Sequence, residues 1–242
     1  SGIISGDRNN KKGNKGINNL VEIMALRAIP NGDEYDKDVA RAIRYAVDNG
    51  AKIINGSFGK YFSSNPEWVI DAIRYASKKD VLVVAAAGNE SKDLDLLSND
   101  NYPNDQFFNK NEFSDTFIKV GASTINLNEN FTAYFSNYGK INVDIFAPGV
   151  DIYSSVPNDK YKFQDGTSMA SPVVSGIASL IMSYFPKLSA KKVKEIILKS
   201  GIDIDLKIGN LGSNKHFREY SKSGKLINAY NALILASKSK RE

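Results

Sequence analysis

The sequence predicts an α/β protein built on a doubly wound, mostly parallel central sheet. Three observations predict it. Residues 81–87 (V-L-V-V-A-A-A) form a nearly continuous apolar run, the signature of a strand buried on both faces. Residues 20–87 alternate strand-like segments with segments of helical apolar spacing, as right-handed crossovers between parallel strands require. The chain has 242 residues, 42% of them hydrophobic and 24% charged, which is enough for one large core or two small ones. No repeat and no linker interrupts it, so residues 1–242 read as a single domain.

Residues 20–28 (L-V-E-I-M-A-L-R-A) alternate apolar and polar in part and predict the first strand. Pro30, Asn31, Gly32 and Asp33 then make a turn. Asp36 caps a helix with Val39, Ile43, Ala46 and Val47 on one face, and Gly50 ends it. Residues 52–55 are a short β-branched strand. Asn65 followed by Pro66 opens a second helix, with Val69, Ala72, Ile73 and Ala76 inward. After the apolar strand at 81–87, the Asp- and Asn-rich stretch 94–111 reads as a surface excursion. Short strands are expected at 117–121, 143–146 and 151–154. A long helix runs over 168–184 and stops at Pro186. Ser189 caps a further helix that ends at Gly201, with Val193, Ile196 and Ile197 buried, and a last helix covers 227–236.

Composition removes several function classes. No apolar run approaches the 18 residues of a membrane span. There is no cysteine, hence no disulfide and no thiolate zinc site. The net charge of +5 comes from scattered lysines, with clusters at 191–194 and 238–241, and reads as solvated faces. No aromatic-plus-basic motif points to nucleic acid. The first residue is serine, so a processed or partial chain is expected.

In a sheet of this class, ligands sit at the carboxyl ends of the strands. That directs attention to Asn55, Gly56, Ser57, Phe58 and Gly59, and to Ala85, Ala86, Ala87, Gly88 and Asn89. It also directs attention to Ser168, which follows Gly166 and Thr167 at the head of the long helix. A helix N-terminus offers free N–H groups and a partial positive charge, which favour an oxyanion. Read alone, Ser168 suits a nucleophile or an N-cap, and Asn89 suits an oxyanion donor or a turn.

Taken together, four stretches resemble the subtilisin-like serine peptidases in order and spacing. They are I-N-G-S-F-G (54–59), A-A-A-G-N-E (85–90), A-P-G-V (147–150) and G-T-S-M-A-S-P (166–172). The resemblance covers nearly the whole chain and implies the three-layer subtilisin-like fold and peptide-bond hydrolysis. It implies that Ser168 is the nucleophile and Asn89 the oxyanion-hole donor. Ser57, Phe58 and Gly59 would be the edge that pairs with the substrate backbone. Ala86, Ala87 and Gly88 would be one wall of the pocket for the side chain before the scissile bond, with room for a large apolar group. Tyr102 and Pro103 resemble its far wall, and Met169 would be an oxidation-sensitive neighbour of the nucleophile. Two positions depart from the family: Gly56 stands where methionine is common, and Val173 where histidine is common.

The family's triad runs in the order Asp, His, Ser. The single histidine, His216, follows Ser168 and lies on no recognisable motif, so it reads as an exposed loop residue. The opening S-G-I-I-S-G (1–6) resembles the helix just past the family's catalytic histidine. The expectation is therefore that triad Asp and His belong to an upstream segment of the same domain, and that this chain alone is nearly inactive. The alternative is a non-catalytic relative that binds peptides through the Ser57–Gly59 edge. The chemistry requires no cofactor. The polar loop 7–16 resembles a family calcium loop, but its three lysines argue against a hard cation, so a structural calcium has weak support and no metal ligand is assigned. The partner is a polypeptide substrate, and family analogy implies export.

Overall fold

In a computed structural model, residues 1–29, 32, 34–106, 111–209 and 215–239 are described. The elements in chain order are α1 (Gly2–Ser5), α2 (Asp36–Asp48), β1 (Ile53–Gly56), α3 (Pro66–Lys78), β2 (Leu82–Ala86), β3 (Phe117–Ser123), β4 (Ile145–Pro148), β5 (Ile152–Val156) and β6 (Lys160–Gln164). Then come α4 (Thr167–Tyr184), α5 (Ala190–Ser200), β7 (Ile202–Asp203), β8 (Lys207–Ile208), β9 (Lys215–His216), β10 (Lys225–Leu226) and α6 (Ala229–Ser239).

Strand β2 is buried at all five positions, because helices cover both of its faces. Its side chains alternate between two cores. Leu82 and Val84 join Ile118, Val120, Ile145 and Ala147 against α4, α5 and α6. Val83 and Ala85 join Phe117 against α2 and α3. The sheet order is β1-β2-β3-β4-β10-β7, parallel throughout except for β7. The architecture is the doubly wound three-layer one that the sequence predicts. A third apolar cluster, with Phe131, Phe146, Phe217 and Tyr220, fills the end of the sheet nearest β8 and β9.

The helices begin and end close to their sequence signals. Ser189 caps α5 by accepting from Lys192 N–H at 3.2 Å. Asp36 is the first residue of α2, and its carboxylate does not cap that helix; it accepts from Ser63 Oγ and Asn65 N–H and pairs with Lys60 at 2.8 Å. The turn expected at 30–33 lies largely outside the described residues.

Three expectations need correction. Residues 20–28 form no strand. A strand exists only when a neighbour takes its backbone hydrogen bonds, and among the described residues none lies alongside. Between this segment and the outer edge of β1 is a cavity of about 810 Å³, lined among others by Val21, Ile23, Met24, Leu26, Ile53 and Asn55. The stretch at 94–111 is not a surface excursion throughout, because Leu94, Asn101 and Asp105 are buried; residues 107–110 are outside the described set. The segment after β4 is a β5–β6 hairpin, whose second strand has too mixed a pattern to be foreseen.

Candidate active site

Three element ends converge at the carboxyl edge of the sheet: the end of β1, the end of β2 and the start of α4. Serine and asparagine side chains join them. Asn55 Nδ2 donates to Ser57 Oγ at 2.8 Å, and Ser57 Oγ donates to the Ser168 carbonyl at 2.9 Å. Ser171 Oγ meets Ser57 Oγ at 2.9 Å, and Ser175 Oγ donates to Asn55 Oδ1 at 2.9 Å. The small residues on this face of α4 let the helix approach β1 closely enough for these bonds.

Gly166 is the N-cap of α4 and lies at φ +149°, a region that favours glycine. Ser168 is therefore the second helical residue and not the cap. Its N–H is among the first-turn donors that have no intrahelical acceptor. Its hydroxyl donates to the Ser57 carbonyl at 2.9 Å.

Asn89 divides its amide between two directions. Its Oδ1 accepts from Thr167 N–H and from Thr167 Oγ1, both at 2.9 Å. Thr167 Oγ1 in turn accepts from Gly88 N–H at 3.0 Å, and Gly88 sits at φ +101°. With its oxygen held, Asn89 turns Nδ2 toward Gly166. A methyl group built on Gly166 would stand 3.6 Å from Asn89 Nδ2 and 3.6 Å from Ser168 N. Both nitrogens thus lie close to Gly166 and the serine, and with Oδ1 held, the Asn89 amide keeps Nδ2 as a donor there. Met169 Sδ borders the same point at 3.6 Å.

Ser57, Phe58 and Gly59 leave β1 as an extended segment, and the next residue, Lys60, exchanges backbone bonds with Tyr102 at 2.9 and 2.8 Å. Ala86, Ala87 and Gly88, the stretch expected to form a pocket wall, extend β2 beside this segment, with Ala86 and Ala87 buried. Asn101 is buried against both stretches. Methyls built on Gly59 and Gly88 would each come within 3.4 Å of its Nδ2. Behind Gly88, Asn137 Nδ2 donates to the Ala87 carbonyl at 2.7 Å, to Tyr61 Oη at 2.7 Å and to Glu90 Oε2 at 3.0 Å. Tyr61 also bonds Glu90. Burial and the Glu90 carboxylate hold the Tyr61 hydroxyl above its ordinary pKa.

A buried ionic group lies beneath this wall. Lys119, on β3, is 2% exposed, and its Nζ donates to the Asn101 carbonyl at 2.8 Å and to Asn101 Oδ1 at 3.2 Å. Burial pushes its pKa down to about 8, against the pull of Asp105 and Asp144. Lys194 reaches Glu112 at 3.3 Å, Asp144 at 3.6 Å and Asp105 at 3.8 Å. Burial works to lower its pKa, but these carboxylates outweigh it and raise it. Burial and then Asp144 push the Asp105 carboxyl up to about 8.

His216 is not brought to Ser168. It is half-buried at the β8–β9 pair, with Nδ1 3.7 Å from the Asp205 carboxylate and its N–H on Glu219. In the loop at 7–16, Asp7 accepts its own loop's Asn9 N–H at 2.8 Å. The geometry adds Thr167, Asn101, Lys119 and Asn137 to the residues that sequence reasoning singled out for the site. Thr167 stood inside a quoted motif. The others have no local signal, because their partners are 18 to 76 residues away.

Residues 1–223 match the family described as the subtilase family, Peptidase_S8. The chain is 35% identical over 235 residues to the thermophilic serine proteinase of Bacillus sp. (strain AK1), covering 96% of this chain and 50% of that protein. It is 36% identical over 184 residues to thermitase of Thermoactinomyces vulgaris, covering 76% and 59% respectively. It is 34% identical over 221 residues to the cell wall-associated protease of Bacillus subtilis (strain 168), covering 91% and 22%. The chain thus spans about half the length of the thermophilic proteinase, and less of the cell-wall enzyme. Among solved structures, the self-cleaved protease domain of PatA superposes with a TM-score of 0.74 at 26% identity, over 98% of this chain and 81% of that one. A protease of Pseudoalteromonas arctica PAMC 21717 shares the fold, with a TM-score of 0.78 at 23% identity, over 97% of this chain and 69% of that one.

Proposed function

The chain belongs to the subtilase family of serine peptidases, and from that premise we propose that it carries the nucleophile half of an endopeptidase site. Polypeptides are the substrate. Ser168 attacks the scissile carbonyl, and Asn89 Nδ2 with Ser168 N–H holds the oxyanion. The backbone of Ser57, Phe58 and Gly59 pairs with the substrate, and Ala86, Ala87 and Gly88 wall the pocket for the side chain before the bond. The observation that carries this reading is the hold of Thr167 on Asn89 Oδ1 at the head of α4, which leaves Asn89 Nδ2 beside Gly166 and Ser168.

A serine hydroxyl at neutral pH needs a base to take its proton as the Oγ–C bond forms. The base then gives that proton to the departing amine, and water repeats the cycle on the acyl-enzyme. The Ser57 carbonyl that now accepts the Ser168 proton cannot perform this transfer, and His216 is engaged elsewhere. In our reading, the histidine and aspartate belong to a further segment of the same domain, upstream of Ser1. Its strand occupies the slot between residues 21–28 and β1. In the same reading the protein is exported, which is supported by its likeness to a protease described as cell wall-associated.

The test compares peptide hydrolysis by the full-length protein, by its Ser168→Ala variant and by the 242-residue chain. The expectation is cleavage by the first alone. Ready cleavage by the 242-residue chain, abolished by Ser168→Ala, overturns the division of the site. The bond from Ser168 Oγ to a carbonyl also favours a second reading, a peptide-binding relative without chemistry. Saturable peptide binding by the full-length protein, with no Ser168-dependent cleavage, would establish that reading instead.

A further inference from the structure

We infer that Asn137 is the positioning residue of the oxyanion donor: it fixes the turn that carries Asn89, so that Asn89 Nδ2 is presented beside Ser168. The inference deepens the peptidase reading above and rests on it. Thr167 holds the end of the Asn89 side chain. The backbone from which that side chain hangs is held by another group, a buried carboxamide from the segment between β3 and β4.

Asn137 is fully buried and meets the turn on both sides of Asn89. Before Asn89, its Nδ2 donates to the Ala87 carbonyl at 2.7 Å, and its backbone N–H donates to the Gly88 carbonyl at 3.0 Å. After Asn89, its Oδ1 accepts from Glu90 N–H at 3.2 Å and from Lys92 N–H at 2.9 Å. Gly88 turns the chain at φ +101°, where other residues are strained. A methyl built there would stand 2.4 Å from Asn137 Nδ2. The carboxamide is therefore packed against the turn as well as bonded to it.

The amide has one satisfied orientation. Its oxygen faces two N–H donors, and its nitrogen faces the Ala87 carbonyl, Tyr61 Oη at 2.7 Å and Glu90 Oε2 at 3.0 Å. A flip would set the N–H₂ against two N–H groups and the oxygen against carbonyl and carboxylate oxygens, at high cost in a buried site. Tyr61 and Glu90 bond each other, and Lys92 Nζ lies 3.9 Å from the centre of the Tyr61 ring, so the outer side of the clamp is braced too. Catalysis depends on that hold. A donor stabilises an oxyanion only from hydrogen-bond distance, and a misplacement of about 1 Å costs about a hundredfold in rate. None of the hydrogen bonds of Asn137 reaches Ser168, so it acts on the reaction through Asn89.

The experiment is a double-mutant cycle in the full-length protein, read by peptide hydrolysis. Asn137→Ala removes the side-chain bonds on both sides of the turn, and should lower kcat at least about tenfold while KM stays within about threefold. In the Asn89→Asp background, which already lacks the donor, the same substitution should change kcat by less than about threefold. A residue that merely stabilises the fold would act equally in both backgrounds. Amide exchange gives a second readout that needs no catalysis. The Glu90 and Lys92 amides should exchange at least about a hundredfold faster in Asn137→Ala than in the parent. The Leu82 and Val83 amides, bonded to the Lys52 and Thr116 carbonyls, should not change. If Asn137→Ala does not fold, Asn137→Ser, whose hydroxyl is too short to span the turn, takes its place with the same expectations. Equal loss of kcat in both backgrounds, no loss in either, or unchanged exchange at Glu90 and Lys92 would each overturn the inference. A parent that cleaves no peptide would overturn the peptidase reading, and exchange at Glu90 and Lys92 would then decide alone whether Asn137 fixes the turn.

Discussion

Asn89 can serve as an oxyanion donor because its other half is already occupied. Thr167 holds Oδ1 with two hydrogen bonds, which fixes the amide plane and leaves Nδ2 for the cleft. Asn89→Asp keeps the acceptor and the shape but removes the donor. In the full-length protein it should lower kcat at least 10²–10³-fold with a much smaller change in KM, a magnitude known for removal of this donor in the family and carried over from it. Thr167→Val should act on the same step at one remove. It strips the Gly88 N–H of its acceptor and removes one of the two bonds on Asn89 Oδ1, leaving the one from the Thr167 backbone, so kcat should fall while KM holds. The part-buried, unpaired Gly88 N–H should cost about 1 kcal/mol of stability, and Thr167→Ser should restore both. If kcat and KM worsen together in Thr167→Val and serine does not rescue it, Thr167 supports the fold and does not position Asn89. Ser168 and Asn89 were legible in the sequence because each stands in a short motif at an element boundary. Asn137 was not, because its bonds to Ala87 and Tyr61 form only in the folded chain.

At the scale of elements, the helices were legible because their cause is local. Val39, Ile43 and Val47 repeat at helical spacing whatever lies across from them, and Ser189 caps α5 with its own side chain. The charge beneath β3 and β4 has no such local cause, since Lys119, Asp105, Asp144 and Lys194 meet only in the folded chain. It predicts a pH dependence with two limbs. The folded Asp105 carboxyl titrates near 8 because of burial and then Asp144, against 3.8 when unfolded. A raised carboxyl pKa stabilises the fold fully below about pH 4, and that contribution is lost as the pH rises toward 8. Folded Lys119 titrates near 8 because of burial, against 10.5 when unfolded. There the unfolded chain holds the extra proton, so stability rises with pH from about 8 to 10.5. The combined contribution should be smallest near pH 8. Urea midpoints measured from pH 4 to 10 should lose the falling limb in Asp105→Asn and the rising limb in Lys119→Met. Slopes parallel to the parent chain in both variants would mean that these groups titrate normally.

At the scale of the whole molecule, the slot beside β1 sets the largest expectation. Residues 20–28 have the apolar alternation of a strand, yet Leu20, Ile23, Met24 and Leu26 are exposed. Their pattern predicts a strand that the structure does not form, because a pattern does not supply a neighbour. The only recorded backbone-to-backbone bond within 20–28 runs from Ala28 N–H to the Leu26 carbonyl, at 3.1 Å. Across the cavity, β1 pairs with β2 along one edge, and its other edge faces the slot. An apolar groove with an unpaired strand edge invites association. If a strand of the same domain fills it in the full-length protein, the amides of residues 21–28 should change category between the two forms. In the 242-residue chain those of residues 21–26 should exchange with deuterium at nearly the free-peptide rate, and the chain should self-associate with rising concentration. In the full-length protein several of them should slow by at least about a hundredfold, because each amide that joins a ladder is released only by opening of the sheet. The Ala72 and Ile73 amides, within α3 and fully buried, should be protected in both and serve as the reference. Equal exchange of residues 21–28 in the two forms, with that reference intact, would mean that the slot stays unfilled and that the triad's acid and base reach Ser168 by some other path.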